Sequence, residues 1–388
     1  MINTDKNLIM RFGRQETGTP LMSEFFGSNQ WINYGVNNDF PQELIRLYQN
    51  SSIMHTRLIN LKADMIAGNG FDQEADFLLN SFSKDSYRVI AKKCALDKVL
   101  FGGFYLNIIW DKSGKKIAQV EHLPFEKMRI AKYDCDVIRN EYQLEGYYFS
   151  KDWLRHRRSE NKPVFLPEFN PEYSKELPSQ VMFFKTYSPG LDYYTLPSYN
   201  AALNSLKLDY EISVYHLKNV QNGLMPGMII VNKSGMPTAE ERQQIYDETK
   251  ARYSGADNAG DFLMVYAESP DKTPDFIPVQ LNSSDQRFKD LDEKINRDIM
   301  ISHQLTSAVA GIETAGKLGA TQEIMEQLIY AQNTLISPLQ LDLEEAINKI
   351  AKINGIDEVF TLKKYKIYDE QAVAMSMDRN VQKIKLIN

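Results

Sequence analysis

Residues 302–340 read SHQLTSAVAGIETAGKLGATQEIMEQLIYAQNTLISPLQ, and the fold turns on how this stretch is understood. Residues 311–317, GIETAGK, fill every place but the last of the phosphate-cradling pattern G-x-x-x-x-G-K-[ST]. The next residue is Leu318, which has no hydroxyl for a magnesium ion. A phosphate loop also follows a strand, whereas residues 288–305 carry Phe288, Leu291, Ile295 and Ile299 at helical spacing. The stretch therefore reads as a connector. Gly311, Gly316 and Gly319 give the backbone conformational freedom, with Lys317 as its only cation and Glu313 as its only anion. From Thr321 a long helix is expected to about residue 354, kinked at Pro338.

Upstream, the order of parts is regular. A capping box at residues 283–286, SSDQ, opens the helix that leads into the connector. Before it lies a unit of about 55 residues with β-α-β-β character. Its strands are expected at 227–232, 261–267 and 275–281, and its charged helix opens at the capping box Thr238 to Glu241. Before that, residues 197–222 form a helix that is apolar on two faces, through Tyr199, Leu203, Leu206 and Tyr210 and through Leu208, Ile212 and Tyr215. Such a helix packs between neighbours or against copies of itself.

The first half of the chain reads as α+β. One amphipathic helix is expected from Pro41 to the stop at residues 68–70, GNG. A second spans about 84–100 and is broken by Gly102 and Gly103. Strands follow at 104–110, 115–122, 145–149 and 181–187. Residues 151–180 read as a surface excursion containing Arg155-His-Arg-Arg158, and residues 358–368 as a strand. Residues 1–40 read as an extended arm whose aromatics, Phe25, Phe26, Trp31 and Tyr34, either dock a partner or pack on the chain's own domain.

Bulk properties narrow the function. The chain has 388 residues, 43% hydrophobic and 25% charged, as in a globular protein of several parts. A net charge of −6 argues against a general nucleic-acid-coating protein but allows a local or deliberately weak contact. Two cysteines, Cys94 and Cys135, lack metal or redox spacing, and residues 1–13 have no apolar leader core, so a reducing cytosolic setting is expected. The histidines, His55, His122, His156, His216 and His303, show no metal-ligand spacing and read as structural or surface residues. No nucleophile elbow is found, so neither enzyme activity nor a cofactor is expected.

Several ordered segments resemble one family, the portal proteins of tailed bacteriophages. Residues 31–41, WINYGVNNDFP, are similar to the family's YG-x-x-N-x-x-P lead into its first helix, and 67–71, AGNGF, to the segment that ends it. Residues 187–202, YSPGLDYYTLPSYNAA, resemble the approach to the first stem helix, and 219–228, NVQNGLMPGM, its end. Pro338 falls at the turn in the family's last long helix, and Leu305-Thr306 stands where many members carry Val-Pro. The resemblance implies an elongated α+β subunit with an α/β wing, a two-helix stem, a small clip and a kinked helix after a tunnel loop. The parts would be an arm (1–40), wing (41–195), first stem helix (196–222), clip (223–282), second stem helix (283–303), tunnel loop (304–320), kinked helix with the rest of the wing (321–367) and a short tail or crown remnant (368–388).

It further implies a homo-oligomeric, dodecameric ring at one vertex of the virion capsid, assembled in the host cytoplasm. Double-stranded DNA would pass its channel, and the major capsid protein, the large terminase subunit and a head–tail adaptor would be partners, with no membrane. Gly311, Glu313, Gly316, Lys317 and Gly319 would line the channel. Glu240, Glu241, Arg242, Lys250 and Arg252 would serve docking at the clip, and Pro338 the helix kink. The rivals are a P-loop-like NTPase using Gly311 to Lys317, and a non-viral scaffolding module.

Overall fold

The structure, a computed structural model, describes residues 24–25, 27, 29–71, 85–132, 138–139, 142–143, 145–221, 228–232, 238, 240–241, 243–244, 262–266, 284–306, 309 and 321–364. Two compact units result: Met1–Asn204 with Arg297–Asn388, and Ser205–Asn296.

The first unit is built on an antiparallel sheet. Residues of β1 (Glu24–Phe25) and β2 (Asn33–Tyr34) pair in a short ribbon. Helices α1 (Phe40–Asn50), α2 (Ile53–Ala67) and α3 (Tyr87–Phe101) follow, and then β3 (Gly103–Trp110) and β4 (Ile117–Leu123). A second sheet joins β5 (Met128–Ile130), β8 (Gly146–Phe149) and β9 (Val164–Pro167), while β6 (Ile138–Arg139) pairs with β7 (Tyr142–Gln143). Strand β10 (Ser179–Lys185) returns beside β3, giving the order β10-β3-β4.

Strand β3 is central and covered on both faces, which is why FYLNIIW reads as an almost unbroken apolar run. Phe104 and Leu106 meet Ile90, Ala91 and Cys94 of α3 and Leu343, Ala346 and Ile347. Tyr105, on the opposite face, lies in an aromatic layer with Phe125, Tyr147 and Phe183. Helix α3 stops where Gly102 takes a left-handed φ of 91°. A Cβ there would stand 2.6 Å from the Leu196 carbonyl oxygen, so glycine also admits the chain leading to the next helix.

The second unit contains most of α4 (Leu203–Gln221), then β11 (Met228–Asn232) and β12 (Phe262–Tyr266), which pair in parallel, and the first part of α5 (Ser284–Ser302). Parallel neighbours need a crossover. The expected capping box lies inside it: Thr238 donates its N–H and its hydroxyl to the Glu241 carboxylate, and the Glu241 N–H donates to Thr238 Oγ. The third expected strand, 275–281, lies outside the described residues.

Back in the first unit, α6 (Thr321–Ala331) and α7 (Ser337–Ile353) are joined by a π-turn, Gln332–Ile336.

Of the two readings of the arm, its described part follows the second and packs on its own domain: Trp31, Ile32 and Tyr34 are buried. Three expectations need correction. The helix expected from Pro41 to Gly68 is two, because Ser52 leaves the helical backbone and caps α2 by accepting from the His55 N–H. The surface excursion contains β9 and the buried Trp153. Residues 358–364 form no strand. They are a strap bonded to the end of α2, with the Asn69 N–H on the Lys363 carbonyl and the Lys363 N–H on the Gly70 carbonyl. Gly68, at φ 52°, allows this, since a Cβ would overlap the Lys363 carbonyl oxygen. The remainder of the expected strand, 365–368, lies outside the described residues.

Candidate functional site

The candidate site is the ground on either side of the glycine-rich connector. Its own residues, Gly311, Glu313, Gly316, Lys317 and Gly319, lie outside the described set, as do Arg242, Lys250 and Arg252. Its approach is the helix α5, not the strand that a phosphate loop follows.

Helix α5 ends in a Schellman motif. The Gln304 N–H donates to the Ile301 carbonyl and the Leu305 N–H to the Met300 carbonyl. The left-handed position is taken by Gln304, at φ 56°, rather than by glycine. Leu305 and Val309 are buried beyond it. They share a hollow of about 240 Å³ with Thr306, Gln327, Tyr330 and Ala331, and the Thr306 hydroxyl bonds Gln327 Oε1 across it.

His303 anchors this end. It is fully buried and its Nε2 lies 3.0 Å from Nδ1 of the buried His55 on α2. Tyr199 stacks on His303 at 5.1 Å and meets His55 edge-on at 4.7 Å, while its hydroxyl donates to the Leu100 carbonyl. The segments before α4 and after α5 thus meet on one face of α2. The pair shares one hydrogen bond between two neutral rings, which leaves one outer nitrogen as a donor and the other as an acceptor. Both outer nitrogens, His55 Nε2 and His303 Nδ1, are buried without a partner among the described residues. Burial, with the Lys62 ammonium next in weight, lowers the pKa of His55 to about 3 and of His303 to about 2. Lys62 is itself buried, and burial lowers its pKa to about 8.

Past the connector, the break in the long helix begins at Gln332, earlier than Pro338, which sits in the first turn of α7. Proline has no N–H for the carbonyl four residues back, and its ring crowds that carbonyl. Widening the preceding turn to i→i+5 bonding removes the conflict: the Ser337 N–H reaches the Gln332 carbonyl, which also accepts the Ser337 hydroxyl at 2.8 Å. Buried Gln340 accepts from Gln332 Nε2 and donates to the carbonyls of Met65 and Ile66, groups that helix α2 leaves open at its end.

Of the expected docking residues, Glu240 and Glu241 are described and exposed. Thr238 holds the Glu241 carboxylate below its usual range, so this side chain is occupied as a cap. The remaining histidines are apart: His122 pairs with Asp97 at 2.7 Å, His156 lies on Trp31, and His216 is exposed on α4. Among the described residues no three ligands gather for a metal, and no helix is long and apolar enough to cross a membrane.

Sequence reasoning missed one further centre, Arg129, which is fully buried. Its five N–H donors meet five neutral acceptors: Asn38 Oδ1 and the carbonyls of Asn38 (2.8 Å), Glu126 (3.1 Å) and Met128 (2.7 Å), with Gln42 Oε1 at 3.2 Å. The guanidinium lies 4.9 Å from the Trp153 ring. This explains the spacing in WINYGVNNDFP. Tyr34 reaches the Thr195 carbonyl, Gly35 (φ 84°) and Asn38 (φ 59°) turn the chain, Asn38 receives Arg129, and Pro41 starts α1.

Comparison with known proteins gives a consistent result. A "Probable portal protein" of Haemophilus phage HP1 (strain HP1c1) is 23% identical over 181 residues, 45% of this chain and 50% of the relative. One of Escherichia phage P2 is 23% identical over 217 residues, 54% of this chain and 60% of the relative. The chain thus spans 50–60% of the length of these curated relatives. A subunit solved in the virion of a native gene transfer agent particle, and in its neck computed with C12 symmetry, shares the fold with a TM-score of 0.55 at 16% identity, each chain covered to 89%. The sequence model of the phage portal protein family matches residues 72–382, from the end of α2 through both units and past the strap, so the chain belongs to the phage portal protein family.

Proposed function

We propose that this chain is the subunit of a dodecameric ring that forms the DNA channel at one capsid vertex and serves packaging and ejection. Residues 41–195 and 321–367 make the wing, 196–222 and 283–303 the stem, and 223–282 the clip that receives the large terminase subunit and then an adaptor. Residues 304–320 line the channel, with Lys317 towards DNA phosphate. The observation that carries this reading is the order of parts: two helices, α4 and α5, bracket a parallel β-α-β insert, and α5 ends in a fixed turn directly before the glycine-rich connector. The C12 symmetry of the related particle neck supports twelve copies. The acidic balance of the chain suits a channel in which DNA slides, since many phosphate contacts would grip it.

Two experiments test the reading. Co-purification with the large terminase subunit, lost when residues 223–282 are replaced by a short linker, is expected; retention without the insert contradicts the assignment of the clip. ATP turnover by the chain that disappears in Lys317→Ala would establish the nucleotide reading instead.

A further inference from the structure

The excursion at residues 151–162 is held on the first unit like a knuckle. Trp153 is its root, buried among Trp31, Tyr148 and Phe165, with its Nε1 donating to the Lys127 carbonyl. Asn161 is the other root: its Nδ2 donates to the Arg155 carbonyl and its own carbonyl accepts the Ser150 hydroxyl. The backbone is tied further by Asp152, whose Oδ1 accepts the N–H groups of Leu154 and Arg155, and by the Arg158 N–H, which donates to the Arg155 carbonyl.

This fixed backbone displays Lys151, Arg155, Arg157, Arg158 and Lys162, all exposed, on a chain whose net charge is −6. Two carboxylates stand nearby, Asp152 and Glu160, each only 3.9 Å from one arginine, so the arginines are loosely engaged. Leu154 is 70% exposed in their midst. We propose that residues 151–162 are a docking knuckle for an acidic segment of a protein partner, with the guanidinium forks on its carboxylates and Leu154 against an apolar side chain.

One feature favours a protein over nucleic acid. Arginine forks match carboxylates and phosphates alike in two-point geometry, but an exposed leucine ringed by charge has the layout of a protein interface, an apolar centre inside a polar rim. The fixed backbone lowers the ordering cost of binding. None of this depends on the channel reading.

The test uses the full chain and a fluorescein-labelled Glu-rich peptide with one central Phe, followed by anisotropy at low salt. The wild type is expected to bind. Substituting Ala at Arg155, Arg157 and Arg158 together should weaken binding about tenfold or more, and Leu154→Ser about fivefold. The control is Ala at Lys112, Lys115 and Lys116, an exposed triplet of equal charge on the β3–β4 turn, which should change binding less than about twofold. Absence of peptide binding, equal loss in the lysine control, or tighter binding of duplex DNA through the same arginines would each overturn the proposal. All substituted side chains are exposed, and an unchanged thermal midpoint verifies that the variants fold.

Discussion

Two buried cationic regions of the first unit solve one physical problem in different ways. At Arg129, every N–H has an acceptor and the ring of Trp153 covers the guanidinium. At the His55–His303 pair, two imidazoles share one bond, their outer nitrogens are unpartnered among the described residues, and the buried ammonium of Lys62 acts on both. A satisfied buried network rigidifies, whereas a partly satisfied one is where a fold yields first. The satisfied site fixes the lead into α1; the unsatisfied one lies where the chain passes to α4 and returns from α5. The contrast predicts that the core around Arg129 is stiff and that the ground beside the connector gives way under acid.

The largest expected effect is at Arg129. Arg129→Met removes all five donors, leaving Gln42 Oε1 and the Asn38 and Met128 carbonyls without them while Asn38 Oδ1 keeps the Tyr34 N–H and the Glu126 carbonyl keeps Gln42 Nε2, and should remove roughly 3–5 kcal/mol from the unfolding free energy in urea. A loss below about 1 kcal/mol would remove one side of the comparison.

The second effect is acid lability. The folded pKa values of His55 and His303 lie below the ordinary 6.5, so their neutral packing contributes fully above pH 6.5 and is lost as pH falls from there towards about 3. Between pH 6.5 and about 5 the pair should account for about 2–4 kcal/mol of lost stability. A double variant, His55→Phe with His303→Phe, should show that much less loss over the same interval. Equal pH profiles for the two proteins would show that the pair is not the sensitive point.

Lys62→Met comes third. Lifting a buried ammonium that has no ion-pair partner among the described residues should stabilise the protein by about 2 kcal/mol, read as a higher urea midpoint. The smallest effect concerns Gln304→Gly, which relieves a left-handed non-glycine residue and should stabilise by about 0.5–1 kcal/mol. A destabilisation there would mean that the Gln304 side chain, not its backbone, matters at the end of α5.

How much of this was legible in the sequence depended on range. Local chemistry carried the run of β3, the stop at Gly102, the capping box at Thr238 and the helix–insert–helix order. Ser51-Ser52 was hidden because the apolar spacing continues across it, and only the Ser52 cap divides the helix. Pro338 suggests a kink at its own position, whereas the irregular turn is the π-turn Gln332–Ile336 before it. The strap at 358–364 resembles a strand in composition and lacks a partner strand among the described residues; it bonds instead to Asn69 and Gly70 after α2. His55 and His303 are 248 residues apart, and Arg129 and Asn38 are 91 apart, so neither pairing leaves a trace at the spacings a sequence pattern can reveal. The connector's near phosphate-loop pattern misleads for the converse reason: a loop needs glycines and tolerates a lysine with no nucleotide present.

The central claim is that copies of this chain close into a ring with a channel at the glycine-rich connector. Electron microscopy of the purified full chain tests it most directly. The account predicts class averages of a closed ring, twelvefold by the symmetry of the related neck, with a central opening. Particles that remain monomeric or dimeric, with no central channel, would contradict it.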